Sequence, residues 1–174
     1  MPIIANFLAF QLGWFSCVLG AAHGMPWLGT LVAIAVVAWH VAHAPTPRSE
    51  LRLILAAGLI GLALDTIPVA SGLIHYVSGT VVPGAAPHWI VAMWLIFATT
   101  LNVTFRWLKR RWLLAALLGA VAGPLAYYGG AALGAAEFPG SAPTIALAAI
   151  AIVWASAMPL LMWLSDRYDG MVTA

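Results

Sequence analysis

Six long apolar stretches occupy nearly the whole chain, and what interrupts them is either turn-forming sequence or positive charge. The pattern predicts helices over 3–22, 25–43, 51–75, 88–106, 112–134 and 143–165. A hydrocarbon core of about 30 Å needs roughly 20 apolar residues per helix, so each stretch reads as a membrane span. His23-Gly24-Met25-Pro26 separates the first two helices, and Ala44-Pro45-Thr46-Pro47 the second from the third. Pro83-Gly84-Ala85-Ala86-Pro87 precedes the fourth, and Phe138-Pro139-Gly140 with Pro143 precedes the sixth. Proline breaks a helix interior but suits a first turn. The break between the fourth and fifth helices is made by charge instead, in Arg106-Trp107-Leu108-Lys109-Arg110-Arg111.

Charge then orients the spans. All seven Lys and Arg fall in alternate gaps: Arg48 and Arg52, then Arg106, Lys109, Arg110 and Arg111, then Arg167 after the last helix. Basic loops stay on the cytoplasmic side, which predicts cytoplasmic termini and an outward-facing His23, 76–87 loop and 135–142 loop. Trp27 and Trp89 fall at the outer interface, and Trp39, Trp107, Trp112 and Trp163 at the inner one, where an amphipathic indole is at home. Composition agrees. The chain is 64% hydrophobic and 7% charged, whereas soluble domains carry about 25% charged residues. The expectation is an all-α, polytopic membrane protein, a bundle of six transmembrane helices forming a single domain over 1–174. The first helix reads as a retained span, because no Lys or Arg precedes it and Asn6 and Gln11 interrupt its apolar run. The net charge of +2 belongs to the basic rim, which meets membrane lipids, and is no nucleic-acid signature. Cys17 is alone, which excludes an intrachain disulfide and a cysteine metal site.

The third helix carries an internal stripe of Gly58, Gly61, Asp65, Pro68, Gly72 and His75, spaced alternately by three and four. Such a stripe shares one helix face, and small residues on it admit a neighbouring backbone. Asp65 should therefore point into the bundle. A carboxylate near mid-membrane costs about 2.5–3.5 kcal/mol on insertion scales, so Asp65 must be protonated, meet water or have a hydrogen-bonding partner. Gln11, equally central in its own span, is the first-choice partner, ahead of Thr99, Thr100 and Asn102. Two readings follow: a proton, ion or ligand site, or an interhelical bond that fixes packing.

The fifth helix has a second stripe, Ala115, Gly119, Gly123, Tyr127, Gly130 and Gly134, suited to helix packing or a homo-oligomer contact. Pro68, Pro124 and Pro159 lie inside helices and free the carbonyls of Leu64, Ala120 and Ala155, so kinks are expected there. Pro124 followed by Tyr127 and Tyr128 suggests a hinge or a cavity wall.

Other chemistry is thin. His23, His75 and His88 share the outer layer with Glu137, but they come from separate segments without short ligand spacing, so no metal site is expected. His40 and His43 suit the carbonyl end of the second helix. No nucleophile elbow, zinc-protease helix, phosphate loop or dinucleotide fingerprint occurs, and no cofactor is expected. Intramembrane proteolysis by paired aspartates needs a second membrane aspartate. Asp65-Thr66-Ile67-Pro68 and Ser156-Ala157-Met158-Pro159 set a proline at similar points of the two halves, a hint of an inverted repeat.

Several stretches together resemble one bacterial inner-membrane family, domain of unknown function 2878: Asn6-Phe7 with Phe10-Gln11-Leu12-Gly13-Trp14-Phe15, Gly58 to Asp65, Pro87-His88-Trp89 with Trp94-Leu95-Ile96-Phe97-Ala98, and Gly119 to Gly123-Pro124-Leu125-Ala126-Tyr127. The resemblance covers most of the chain. It implies a place in the inner membrane, an association with membrane-lipid modification or envelope stress, and Gln11, Asp65, Trp94, Pro124 and Tyr127 as family-like positions. It supplies no agreed activity. The functional expectation is a ligand or proton site around Asp65, Gln11, Tyr127, Tyr128, Trp94 and Asn102 that binds or transports a lipid-like or small amphipathic molecule. The alternatives are a lipid-modifying enzyme or its accessory subunit, and a scaffolding protein.

Overall fold

The computed structural model describes residues 2–140 and 143–172; Ser141 and Ala142 of the expected outer loop lie outside them. Among the described residues the elements are α1 (Ile3–Ala22), α2 (Pro26–Ala42), α3 (Pro47–Ala70), β1 (His75–Tyr76), α4 (His88–Leu101), α5 (Trp112–Ala132), β2 (Ala136–Glu137) and α6 (Pro143–Arg167), with a 3₁₀ turn at Arg106–Leu108. Six helices occur where six were expected, and prolines open α2, α3 and α6, where a missing N–H costs nothing.

Three helix boundaries differ from expectation by more than two residues. The third helix starts earlier, at Pro47, and stops at Ala70 because Gly72 takes a left-handed φ of 72°. The amides of Leu73 and Ile74 then turn back onto the Pro68 carbonyl, at 2.9 and 3.2 Å, in the manner of a glycine-terminated helix. The fourth helix stops at Leu101, because Asn102 caps it and the Thr100 carbonyl takes the amides of Val103 and Phe105 in tight turns. Freed from α3, His75 and Tyr76 pair antiparallel with Glu137 and Ala136. This two-residue ladder ties the end of α3 to the end of α5.

The packing has two parts. The helices α1 to α4 form one group in which the short α4 sits centrally against α1, α2 and α3, while α5 and α6 form a hairpin that leans on the group through α6. Among the described residues α1 meets α5 only sparsely, where Trp14 nears Gly129 and Ala22 nears Gly134. The glycine stripes face inward as expected over Gly58, Gly61, Gly119, Gly123 and Gly130, all buried. Gly72, His75 and Gly134 are exposed, because the helices have ended by then. The helices α3, α5 and α6 run through Pro68, Pro124 and Pro159 without interruption.

The surface is that of a protein in lipid. Leu59, Leu113 and Ile152 are 69%, 75% and 70% exposed, and so large an outward apolar surface has no counterpart in a soluble monomer. The helices α1, α3, α5 and α6 are each long and apolar enough to cross a bilayer, while α2 and α4, at 17 and 14 residues, are shorter. The chain is thus a multi-pass membrane protein. The cations gather at one end. There Arg106 and Lys109 pair with Asp169 at 2.8 and 2.7 Å, and Arg110 with Asp166 at 3.2 Å.

Candidate functional site

Asp65 is buried at 2% exposure and points into the bundle. Its partners come from three other elements. The indole Nε1–H of Trp94, on α4, donates to Oδ2 at 2.5 Å. The Tyr127 hydroxyl, on α5, donates to Oδ1 in a short bond. The Tyr76 hydroxyl, on β1, approaches Oδ1 at 3.5 Å, the outer limit of a hydrogen bond.

Each partner is placed by a local feature of the chain. Gly61 lies one turn before Asp65 on the same face, and a side chain there would occupy the position of the Trp94 ring. The glycine lets the indole lie flat on the α3 backbone with its N–H aimed at the carboxylate one turn above. Trp94 stacks in turn on Trp154 of α6, at 4.7 Å between ring centroids and 16° between planes. Trp154 rests on Gly123 of α5 in the same way. Two indoles are therefore held between two glycines on opposite sides of the bundle. Tyr76 reaches Asp65 because the β1–β2 ladder folds the post-α3 segment back over the helix end. Burial first, and then the Asp65 charge, hold the Tyr76 phenol well above the ordinary tyrosine value. It stays protonated and can donate.

Beside this cluster lies a cavity of about 430 Å³, inside the range of roughly 300–1,000 Å³ typical of small-molecule sites. Asp65, Tyr76, Trp94, Tyr127 and Trp154 form one part of its wall, and Phe10, Gln11, Trp14 and Phe97 another. It occupies the gap between the four-helix group and the α5–α6 hairpin. A smaller space of about 60 Å³ adjoins the same Asp65, Trp94, Tyr127 and Trp154 side chains.

The structure brings together Asp65, Trp94 and Tyr127 of the expected set, with Gln11 in the same cavity wall. Gln11 makes no hydrogen bond to Asp65 among the described residues; Trp94 and the two tyrosines fill that place. Asp65 precedes the end of α3 at Ala70 by five residues, about 8 Å at 1.5 Å per residue, so it lies nearer the β-ladder end of that helix than its middle. Tyr128 is 61% exposed and turns away. Thr99 and Thr100 spend their hydroxyls on the carbonyls of Ile96 and Phe97 within α4. Tyr76 was not expected, because it lies outside every apolar stretch and only the ladder brings it back.

Asn102 belongs to a second buried cluster at the basic end. Its side-chain amide donates to Glu50 Oε2 at 2.9 Å and to the Tyr168 carbonyl at 3.1 Å. The other Glu50 oxygen meets His40 Nε2 at 2.8 Å, and the Gly170 amide donates to Oε2 at 3.0 Å. Both His40 and Glu50 are fully buried. His40 thus serves α3 rather than the carbonyl end of its own helix, whereas His43 does bond the Trp39 carbonyl, at 2.8 Å. The outer histidines are spread out. His23 bonds the Leu19 carbonyl, His75 lies 3.9 Å from Glu137 in an exposed pair, and His88 bonds Thr30 and stacks on Trp27.

Comparison with known families decides the kinship. A family model described as a protein of unknown function (DUF2878) matches residues 3–160, nearly the whole chain. The chain belongs to this family. The matched span includes Asp65, Tyr76, Trp94, Tyr127 and Trp154, so the carboxylate cluster and its cavity lie within the family's domain. No curated protein and no solved structure matches the chain.

Proposed function

We propose that this protein is a six-span component of the bacterial inner membrane, with both termini in the cytoplasm, that binds an amphipathic ligand in the cavity beside Asp65. One observation carries the binding reading. An ionisable side chain sits in the wall of a cavity of about 430 Å³ whose remaining wall, Gln11 apart, is apolar and aromatic. A chain selected only for packing would fill that space, because each buried void costs stability. Intramembrane carboxylates facing a cavity are functional sites by default. Residues of α1 and α5 face each other across the cavity, and an apolar tail would enter from the bilayer between these two helices. The orientation rests on the gathering of cations at one end, which the positive-inside rule assigns to the cytoplasm.

Gly130 lines the cavity, and a Cβ added there meets nothing within 4 Å. The Gly130→Phe variant therefore fills the cavity from a tolerant position. Native mass spectrometry of protein purified in mild detergent tests the reading. The wild type should carry a bound amphiphile that Gly130→Phe lacks. Equal occupancy of the two proteins, or none in either after incubation with total membrane lipid, rules the proposal out.

A further inference from the structure

The charge inventory of the cavity points to the kind of molecule it takes. Among the residues that line it, Asp65 is the one acidic side chain, and none is Lys, Arg or His. Its three partners are neutral. Trp94 can only donate, which fixes Oδ2 as an acceptor. Tyr76 and Tyr127 both reach Oδ1. Neutral donors stabilise a carboxylate but leave its charge in place, and a buried charge without an opposite charge is costly. Every Lys and Arg lies instead at the far end of α3, beyond α4, or in the last turn of α6.

Much of the rest of the wall is aromatic, with Phe10, Trp14, Trp89 and Phe97 lining the cavity beside aliphatic side chains and Gln11. Aromatic faces carry negative potential and attract ammonium groups, most strongly away from water. A carboxylate among aromatic rings is thus matched to a cation with an apolar body and mismatched to a phosphate or a fatty carboxylate. Resting on the cavity reading above, we infer that the ligand is a cationic amphiphile, an amine or quaternary ammonium carried on an apolar chain. Its head neutralises Asp65, and its chain lies along the aromatic wall towards the space between α1 and α5.

Three probes with one tail and different heads test this: dodecyltrimethylammonium, dodecanol and dodecanoate. They are titrated below their micellar concentrations into protein held in uncharged maltoside detergent, with tryptophan quenching as the readout and Gly130→Phe as the blank. The ammonium probe should bind at least about tenfold more tightly than the alcohol, and dodecanoate should show no saturable signal above the blank. Asp65→Asn should bring the ammonium and alcohol probes to similar affinity. An equal or reversed order of heads on the wild type overturns the charge inference and leaves the cavity reading standing. Saturable binding of no probe above the blank overturns both. A full ammonium preference in folded Asp65→Asn removes Asp65 from the recognition. The wild-type series decides the matter even where that variant fails to fold.

Discussion

The carboxylate of Asp65 depends on a side chain that is absent. Gly61 presents bare backbone to Trp94, and only that contact aims the indole N–H at Oδ2. Gly61→Ala should push the ring away and break the bond, costing about 1–3 kcal/mol from overpacking alone. Trp94→Phe keeps most of the ring but removes the donor, and should cost about 1–3 kcal/mol through an under-satisfied buried acid. Thermal unfolding in detergent measures both, and a melting temperature within error of wild type for either variant contradicts the geometry. Residue identity announced the acid and its inward direction, because a lone carboxylate on a glycine stripe has few other places to go. Its partners were harder to foresee. Gln11 matched in assumed depth and polarity, yet Trp94 won because α4 packs on the glycine face of α3, and Tyr127 because it reaches Asp65 from α5; which helices become neighbours is not written in one helix's period.

At the scale of elements, the helices were legible from apolar runs and proline placement, and their ends less so. The apolar run of the third helix extends past Gly72, so hydropathy alone could not see a helix stop made by backbone conformation. The consequence is functional, since the short β1–β2 ladder that follows delivers Tyr76. The opposite end is fastened by Glu50, which joins α2, α3, the end of α4 and the chain after α6 through His40, Asn102 and Gly170. Glu50→Ala leaves these donors buried and unpaired, and should destabilise the fold by about 3–5 kcal/mol; detergent melts with Glu50→Gln as the milder comparison read it. Nearby, burial works against ionisation of Asp169, but Lys109 and Arg106 outweigh it and hold the carboxyl below the usual carboxylate value. A depressed carboxyl contributes stability above its unfolded pKa and loses it as pH falls through the folded one. The melting temperature should therefore drop on acidification below the ordinary carboxylate range, and Asp169→Asn should lower stability at neutral pH while flattening that acid limb. A limb unchanged in the variant assigns it to other carboxylates.

For the whole molecule, orientation is the testable quantity. Cys17 is buried and should resist membrane-impermeant thiol reagents, giving a silent background. A cysteine placed at Val81, exposed in the loop between β1 and α4, should label from the periplasmic side of intact spheroplasts. One at Arg111, beyond the basic turn, should label only after the membrane is opened. The reverse pattern overturns the assigned topology while leaving the fold untouched.

The sequence by itself determined the solvent, the number of helices, their order and the end at which charge collects. Those follow from composition and from runs of residues along one chain, because transfer into hydrocarbon acts on each segment separately. It also singled out Asp65, whose cost in lipid is a property of the residue. The tertiary structure alone decided which groups satisfy that acid, how near the end of its helix it lies, and that a cavity opens beside it. It alone also joined His40, Glu50 and Asn102 into one cluster. Hydrogen bonds and voids are made between elements, and their geometry is set by how the α5–α6 hairpin leans on the other four helices.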